Sequence, residues 1–163
     1  MKVERKTNNG GLKQLKLKLE GLDKQQIKVG WFDSAVYPNG TKVALIAAQN
    51  EFGNPNKKIP PRPFFRSTIK EKQTEWKEKL SKISTSILEQ KINIDQGVSS
   101  FALVVEGDIK EKITNIKEPA LKESTIKARK RKMKDGKTVG NLTKPLVETA
   151  HMLNTVTHVI TKK

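Results

Sequence analysis

The stretch Gly40–Arg66 reads GTKVALIAAQNEFGNPNKKIPPRPFFR. Residues Val43–Phe52 within it have helical spacing, with Thr41 as a suitable N-cap and Gly53 as a suitable stop. The segment Asn54–Pro63 that follows is rich in proline, and proline pushes the residue before it toward extended geometry. We therefore expect a short helix, an extended linker, and a new element that begins where the linker ends.

A long amphipathic helix is predicted after the linker, over about residues 64–91. Its apolar residues recur at helical spacing and form a narrow seam that consists of Phe65, Ile69, Trp76, Leu80, Ile83 and Ile87. A second helix is predicted to follow Asp95, a suitable N-cap, with apolar residues from Val98 to Ile116. The two helices could form a hairpin, or the second could lie across a sheet.

Two strands are predicted, one near each end of the chain. Apolar and polar residues alternate over Gln26–Phe32 and again over Thr155–Thr161. Further helical patterns cover residues 12–22, 124–132 and 146–153. A few strands among several helices indicate the α+β class, with a small, mostly antiparallel sheet packed with several helices.

The length of the chain fits one domain, so we expect residues 1–163 to fold as a single unit. Residues 1–10 end in an Asn-Asn-Gly sequence and are interpreted as a possible flexible arm. Residues 130–143 contain the turn signals Asp135-Gly136 and Gly140-Asn141, and they are interpreted as a possible mobile basic loop.

The chain is strongly basic, with 33 Lys and Arg against 17 Asp and Glu and a formal net charge of +16. Such a charge predicts attraction to a polyanion, which could be nucleic acid, an acidic membrane surface or an acidic protein. The candidate basic patch consists of Lys127, Arg129, Lys130, Arg131, Lys132 and Lys134. It could contact DNA phosphates or an acidic neighbour, or it could be a solvated face. No aromatic residue is interleaved, which disfavours base stacking.

No motif in the sequence supports catalysis. The chain has no cysteine, which excludes disulfides and thiolate chemistry, and it has neither of the common glycine-rich phosphate loops. Glu148 and His151 would share a helix face, but a surface or packing pair explains this spacing better than a catalytic one. We predict a non-enzyme without cofactor or metal. No apolar run approaches the roughly 20 residues that cross a bilayer, so no membrane partner is expected.

Three blocks of the first half stand in a distinctive order. They are IKVGWF at residues 27–32, GTKVALIAAQNEFG at 40–53 and IPPRPFFR at 59–66. This order resembles the phage virion-morphogenesis or tail-completion family, whose members sit at the neck, where the head meets the tail.

Two blocks of the second half are similar to the same family. They are LKESTIKARK at residues 121–130 and KPLVETAHML at 144–153. Glu148 stands where the family has Asp, and Ala150 stands where it has Gly. The second departure bears on the tight bend that the family pattern implies there, since glycine tolerates positive φ and alanine does not.

The resemblance implies a structural component of a tailed-phage virion that acts in head–tail joining or tail completion at the neck, with no reaction and no cofactor. It implies a homo-oligomer, as a hexameric or dodecameric ring around the DNA channel. The implied partners are neighbouring neck and tail proteins such as the connector, tail terminator or tail tube, with DNA close by. The protein would be made in the host cytoplasm and end in the virion. The alternative, which rests on the net charge, is a basic DNA- or RNA-binding accessory protein.

Residues around the start of the long helix are candidates for a subunit or partner interface. Aromatic and Arg side chains are enriched at the centres of interfaces, which singles out Arg62, Phe64, Arg66 and Trp76. The other interpretation is that Phe64 and Phe65 begin the core of the long helix, and we expect this at least of Phe65.

Overall fold

The structure is a computed structural model that describes residues 9–162, and its elements show the predicted α+β class. In chain order the α-helices and strands are α1 (Asn9–Asp23), β1 (Gln25–Gly30), α2 (Val43–Phe52), α3 (Phe64–Leu88), α4 (Ile94–Asn115), α5 (Glu123–Lys134), α6 (His151–Asn154) and β2 (Thr157–Lys162). The linker between α2 and α3 is not extended throughout, because Pro55–Lys57 form a short 3-10 helix. The arm predicted over residues 1–10 falls outside the described residues except for its last two, and these belong to the first turn of α1.

The sheet joins the two ends of the described chain. Strands β1 and β2 pair antiparallel, with Gln25 opposite Lys162 and Gly30 opposite Thr157. Both strands lie where apolar and polar residues alternate in the sequence. Strand β1 ends at Gly30 and not at the predicted Phe32, because the chain turns at Gly30 with a φ of 151°, a conformation that glycine adopts readily.

The hydrophobic core lies between α2, α4 and the sheet, and Phe64 is one of its largest side chains. The core residues with little or no exposed surface are Val43, Ala47, Phe64, Ile109, Ile113, Met152 and Val156. The Trp31 ring meets the Phe64 ring edge to face, with centroids 5.7 Å apart. Since Phe64 is only 1% exposed, the interface prediction for Phe64 is wrong in this structure, and Phe64 belongs to the core together with the half-buried Phe65.

Helices α3 and α4 form an antiparallel hairpin, and α4 also lies against both strands. The two arrangements left open by the sequence therefore occur together. The helices approach closely at Gly97, where a β-carbon would lie 2.6 Å from Ile87 Cδ1. Farther along the hairpin, the half-buried Trp76 donates a 2.6 Å hydrogen bond from its Nε1 to Asp108 Oδ2. This bond uses the polar end of Trp76 inside the hairpin, so Trp76 fixes two helices of its own chain.

The turn of the hairpin is capped by Asn93 and not by the predicted Asp95. Asn93 Oδ1 accepts a hydrogen bond from the Gln96 backbone amide at 2.8 Å, and the Gln96 side chain accepts one from the Asn93 amide at 3.1 Å. This reciprocal pair satisfies two of the free donors at the start of α4. Helix α3 ends at Leu88, before the predicted residue 91, and the turn passes through Gln90 at a φ of 64°.

A carboxylate on α4 anchors strand β2. Glu106 Oε2 lies 2.7 Å from His158 Nδ1, and Glu106 Oε1 accepts a hydrogen bond from Lys110 Nζ at 2.5 Å. Burial raises the pKa of Glu106, but the hydrogen bonds and charges of Lys110 and His158 outweigh burial and hold the pKa below its ordinary value of 4.5. The ionised form of Glu106 therefore stabilises the fold.

We expect Glu106 to contribute about 1–2 kcal/mol to the free energy of unfolding at neutral pH. A folded pKa below the unfolded one means that this contribution is complete above pH 4.5 and is lost as the pH falls through the folded pKa. The measurement is urea unfolding of the wild type and Glu106→Gln from pH 7 down to pH 3. The difference between them should shrink below about pH 4, and a difference that stays constant would contradict the assignment.

The segment before β2 departs most from its prediction. A helix was expected over residues 146–153, but α6 covers only His151–Asn154. Leu146 and Ala150 have φ values of 63° and 56°, which place both in the left-handed region and interrupt a right-handed helix. Ala150 thus makes a tight bend although alanine disfavours a positive φ. Such a conformation costs an L-residue roughly 1–2 kcal/mol.

Replacing Ala150 with glycine should therefore raise the free energy of unfolding, by about 0.5–1 kcal/mol. Relief of the left-handed strain outweighs the greater freedom of glycine in the unfolded chain. Thermal or urea unfolding measures the change. The matched control is Ala128→Gly at an exposed position of helix α5, which should lower the stability by about 1 kcal/mol. A loss of stability in both variants would contradict the strain.

Candidate functional site: a basic cleft

A cleft with a volume of about 920 Å³ lies where the two halves of the chain meet. We call it the basic cleft. Its walls come from residues 46–50 of α2, residues 57–62 of the proline-rich linker, residues 119–132 at the start of α5, and residues 146–152 before β2. Four of the five sequence blocks quoted above, at residues 40–53, 59–66, 121–130 and 144–153, thus line one concave surface. The block at residues 27–32 does not line it.

The proline-rich linker is held in place by Glu51, the last acidic residue of α2. Glu51 is 5% exposed, and its carboxylate accepts hydrogen bonds from the backbone amides of Phe65 at 2.8 Å and Arg66 at 3.1 Å. It also accepts one from Arg66 Nε at 2.9 Å. The first turn of any α-helix has backbone amide donors without a partner inside the helix, and the Glu51 carboxylate caps those of α3. It thereby fixes the end of the linker where α3 begins.

Arg62 connects the linker to the opposite wall of the cleft. Its Nε donates to the Pro119 carbonyl at 2.8 Å and its Nη2 to the Ala120 carbonyl at 3.3 Å. Burial lowers the pKa of Arg62, the charge of Arg129 lowers it further, and Glu118 opposes them. Because Arg62 is 5% exposed and its donors bind its own chain, the prediction that Arg62 is an interface residue is wrong in this structure.

Arg129 is a buried residue of the cleft lining. Its Nη1 donates to the carbonyls of Asn141 and Lys144, both at 2.8 Å, and so holds the loop after α5. Its Nε lies 3.7 Å from Glu148 Oε2 and is buried without a hydrogen-bond partner among the described residues. Burial lowers the pKa of Arg129, and Glu148 opposes this.

Arg129 is therefore not part of an exposed basic patch, and that prediction is wrong for this residue, which is 5% exposed. Arg129 lies on the buried face of α5, and the carbonyls of Asn141 and Lys144 accept hydrogen bonds from its guanidinium there. The other members of the predicted patch are exposed and are Lys127, Lys130, Arg131, Lys132 and Lys134. Helix α5 extends through Lys134, so the first part of the basic loop predicted over residues 130–143 is helical.

The cleft has an excess of positive charge. Its basic lining residues are Lys57, Lys58, Arg62, Lys122, Arg129 and Lys132, and its one lining carboxylate is Glu148. Glu148 Oε1 accepts a 2.6 Å hydrogen bond from Lys132 Nζ. The three other lysines form no ion pair within residues 9–162. The cleft thus presents the unpaired ammonium groups of Lys57, Lys58 and Lys122, which we call the rim lysines. It also contains the buried Arg129 guanidinium, whose Nε has no hydrogen-bond partner among the described residues.

One wall of the cleft is apolar. Its apolar side chains are Ile46, Ile59, Leu121, Leu146 and Met152. Tyr37, the one aromatic residue of the lining, packs against the His151 ring with centroids 4.7 Å apart, and burial raises the pKa of the Tyr37 hydroxyl, with the Glu148 charge adding to this. The cleft therefore combines an apolar surface with basic groups.

Glu148 and His151 do not form the pair that their spacing permits. The His151 Nε2 atom lies 2.9 Å from the Val36 carbonyl, while Glu148 pairs with Lys132. Each residue therefore contacts a different segment of the cleft wall, and the predicted surface or packing pair between the two does not form. Of the predicted interface residues, Arg66 keeps an exposed side chain at 57%, and its guanidinium covers the Phe52 ring at 4.6 Å.

Comparisons of the chain with protein families, with curated proteins and with solved structures find no match. No helix within residues 9–162 is long and apolar enough to cross a membrane. The same residues contain no group of three acidic or histidine side chains placed to hold a metal ion.

Proposed function

We propose that this protein is a non-enzymatic structural component of a tailed-phage virion that acts in head–tail joining or tail completion at the neck. The observation that carries the proposal is the convergence of the blocks at residues 40–66 and 121–153 on the basic cleft. These are the blocks that resemble the virion-morphogenesis or tail-completion family. Their contact at one cleft supports the proposal, because residues of all these blocks then contribute to a single surface.

The charged residues of these blocks support a scaffolding role. Glu51 binds the start of α3, Arg62 binds the backbone at residues 119–120, and Arg129 binds the backbone at residues 141 and 144. Each of them uses its charge to fix a segment that is distant or irregular. Buried charges that are paired in this way favour one arrangement of the chain, since an unpaired one would be costly. A fixed arrangement around a concave surface suits a protein that docks to neighbours.

In this proposal the protein is a homo-oligomeric ring around the DNA channel, and it contacts a connector, tail terminator or tail-tube protein. A ring of this kind uses head-to-tail contacts that close on themselves. Arg66, which is exposed beside the Phe52 ring, remains available for such a contact.

Two observations on virions test the proposal. Mass spectrometry of purified particles should detect the protein, and electron microscopy of particles assembled without it should show full heads separated from finished tails. Restoring the gene should restore joined particles. Intact, infectious virions that lack the protein would refute the proposal.

A nucleic-acid-binding accessory protein is the second candidate, favoured by the exposed cationic face of α5. That face carries Lys127, Lys130, Arg131 and Lys134. Binding through it would release counterions from phosphates, so the affinity for duplex DNA would fall steeply with salt. Tight binding at physiological salt that is lost when these four residues are changed to Gln would favour this candidate.

A further inference from the structure

The basic cleft combines an excess of basic side chains with an apolar wall. Arg129 Nε is buried without a hydrogen-bond partner within the described chain, and the carboxylate oxygen paired with it, Glu148 Oε2, lies 3.7 Å away. Arg62 lies close enough for the Arg129 charge to lower its pKa. Two buried cations beside each other and a single carboxylate leave room for another negative group.

We propose that the basic cleft binds a short acidic peptide segment of another protein, with its carboxylates at the basic rim and an apolar side chain against the opposite wall. This inference rests on the proposed function, because the peptide would belong to a neighbouring protein of the same assembly. The rim groups are Lys57, Lys58 and Lys122, which have no ion pair among the described residues. They are mobile ammonium donors that suit carboxylates at several spacings.

The lining favours a peptide over nucleic acid. Ile46, Leu121 and Met152 offer an apolar surface inside the cleft, where a sugar–phosphate backbone would gain nothing and a leucine-like side chain would be desolvated favourably. Single-stranded binding also relies on free aromatic faces for stacking. Tyr37 does not offer one, because its ring packs on His151. A volume of about 920 Å³ lies in the range of sites that enclose a compact ligand.

The occupant comes from a different protein and not from a second copy. Among the 17 acidic residues of the chain, no two are adjacent in the sequence. The closest two are Glu106 and Asp108, and both are engaged, Glu106 with Lys110 and His158 and Asp108 with Trp76. The chain therefore has no acidic run to place in the cleft of a neighbour.

The test is a fluorescence-anisotropy titration at about 0.15 M salt with a labelled peptide of sequence Glu-Glu-Leu-Leu-Glu-Glu. The first variant carries Lys57→Gln, Lys58→Gln and Lys122→Gln, which removes the rim charges, and its affinity should fall about tenfold. The second is Glu148→Gln, which removes the competing carboxylate and should tighten binding. A peptide with Gln in place of Glu should not bind.

The matched control variant has the same net charge but leaves the cleft intact. It carries three substitutions at exposed positions of α3, namely Lys70→Gln, Lys77→Gln and Lys82→Gln. Its affinity should stay within about twofold of the wild type, since these charges lie outside the cleft. Equal losses in the two triple variants, or no binding of the peptide to the wild type, would overturn the proposal.

A competition experiment separates the peptide from nucleic acid. A single-stranded oligonucleotide that displaced the peptide, and whose own affinity depended on the same rim lysines, would show that the cleft binds nucleic acid and would also overturn the proposal. These measurements use the isolated protein, so their failure is distinguishable from that of the head–tail role, which is decided by the particles that form without the protein.

Discussion

Phe64→Ala is expected to lower the free energy of unfolding by about 3–5 kcal/mol. Phe64 is 1% exposed and lies in the core with Val43 and Ile113, so truncation loses the burial of an aromatic ring and leaves a cavity. The edge-to-face contact with Trp31 at 5.7 Å is lost as well, and such pairs contribute about 0.5–1.5 kcal/mol. Urea unfolding followed by Trp fluorescence measures the change.

The control is Phe52→Ala, since Phe52 lies in the neighbouring helix and is 64% exposed. It loses the contact with the Arg66 guanidinium, which at an exposed site contributes about 0.5–1 kcal/mol. Similar losses for Phe52 and Phe64 would contradict the structure. A Phe64→Ala protein as stable as the wild type would return Phe64 to the interface role that its sequence context suggested.

Glu51→Gln is expected to cost about 2–4 kcal/mol. The carboxylate accepts hydrogen bonds from two backbone amides and from Arg66 Nε, and bonds to a charged group contribute about 1.5–3 kcal/mol each. A glutamine of the same shape keeps one oxygen but turns an amide donor toward these donors. The start of α3 would lose its cap, and the proline-rich linker would lose one of its fixed ends.

The same unfolding measurement compares Glu51→Gln with Glu78→Gln on the exposed face of α3, which should change the stability by no more than about 0.5 kcal/mol. Amide hydrogen exchange gives a second measurement, because Phe65 and Arg66 should exchange faster in Glu51→Gln. Unchanged exchange at these two amides would show that Glu51 does not cap α3.

The elements that the sequence predicted well have strong local signals. The spacing of apolar residues and the glycine stop placed α2 at its observed bounds, Val43–Phe52, and the prolines before Phe64 marked the start of α3. Period-two alternation located both strands. The bounds differ where a local rule was outweighed, as at Asn93, whose reciprocal bonds with Gln96 cap α4 better than an isolated Asp95 could.

The candidate site was less predictable, because burial of a charged residue has no local signature. From the sequence, Arg62 and Arg129 would be placed at the surface. The nearest carbonyl partner of Arg62 in the sequence is Pro119, 57 residues away, and that of Arg129 is Asn141, 12 residues away. No sequence pattern indicated that Lys57 and Lys58 of the linker would line the same cleft as Lys122. The left-handed Ala150 was equally hidden, since alanine normally continues a helix, and only the tertiary packing of the segment holds it there.

The pairing of β1 with β2 has a consequence for how the protein is made. On the ribosome, the segment that becomes β1 emerges well before its partner strand, residues Thr157–Lys162, because α2 to α6 lie between them in the sequence. Until then Val29 and Ile113 lack the cover of Val156. Helix hairpins such as α3–α4 can form during synthesis, whereas contacts so distant in the chain close late and slowly. The core of the nascent chain therefore stays open on the side of the sheet until β2 is available to pair with β1.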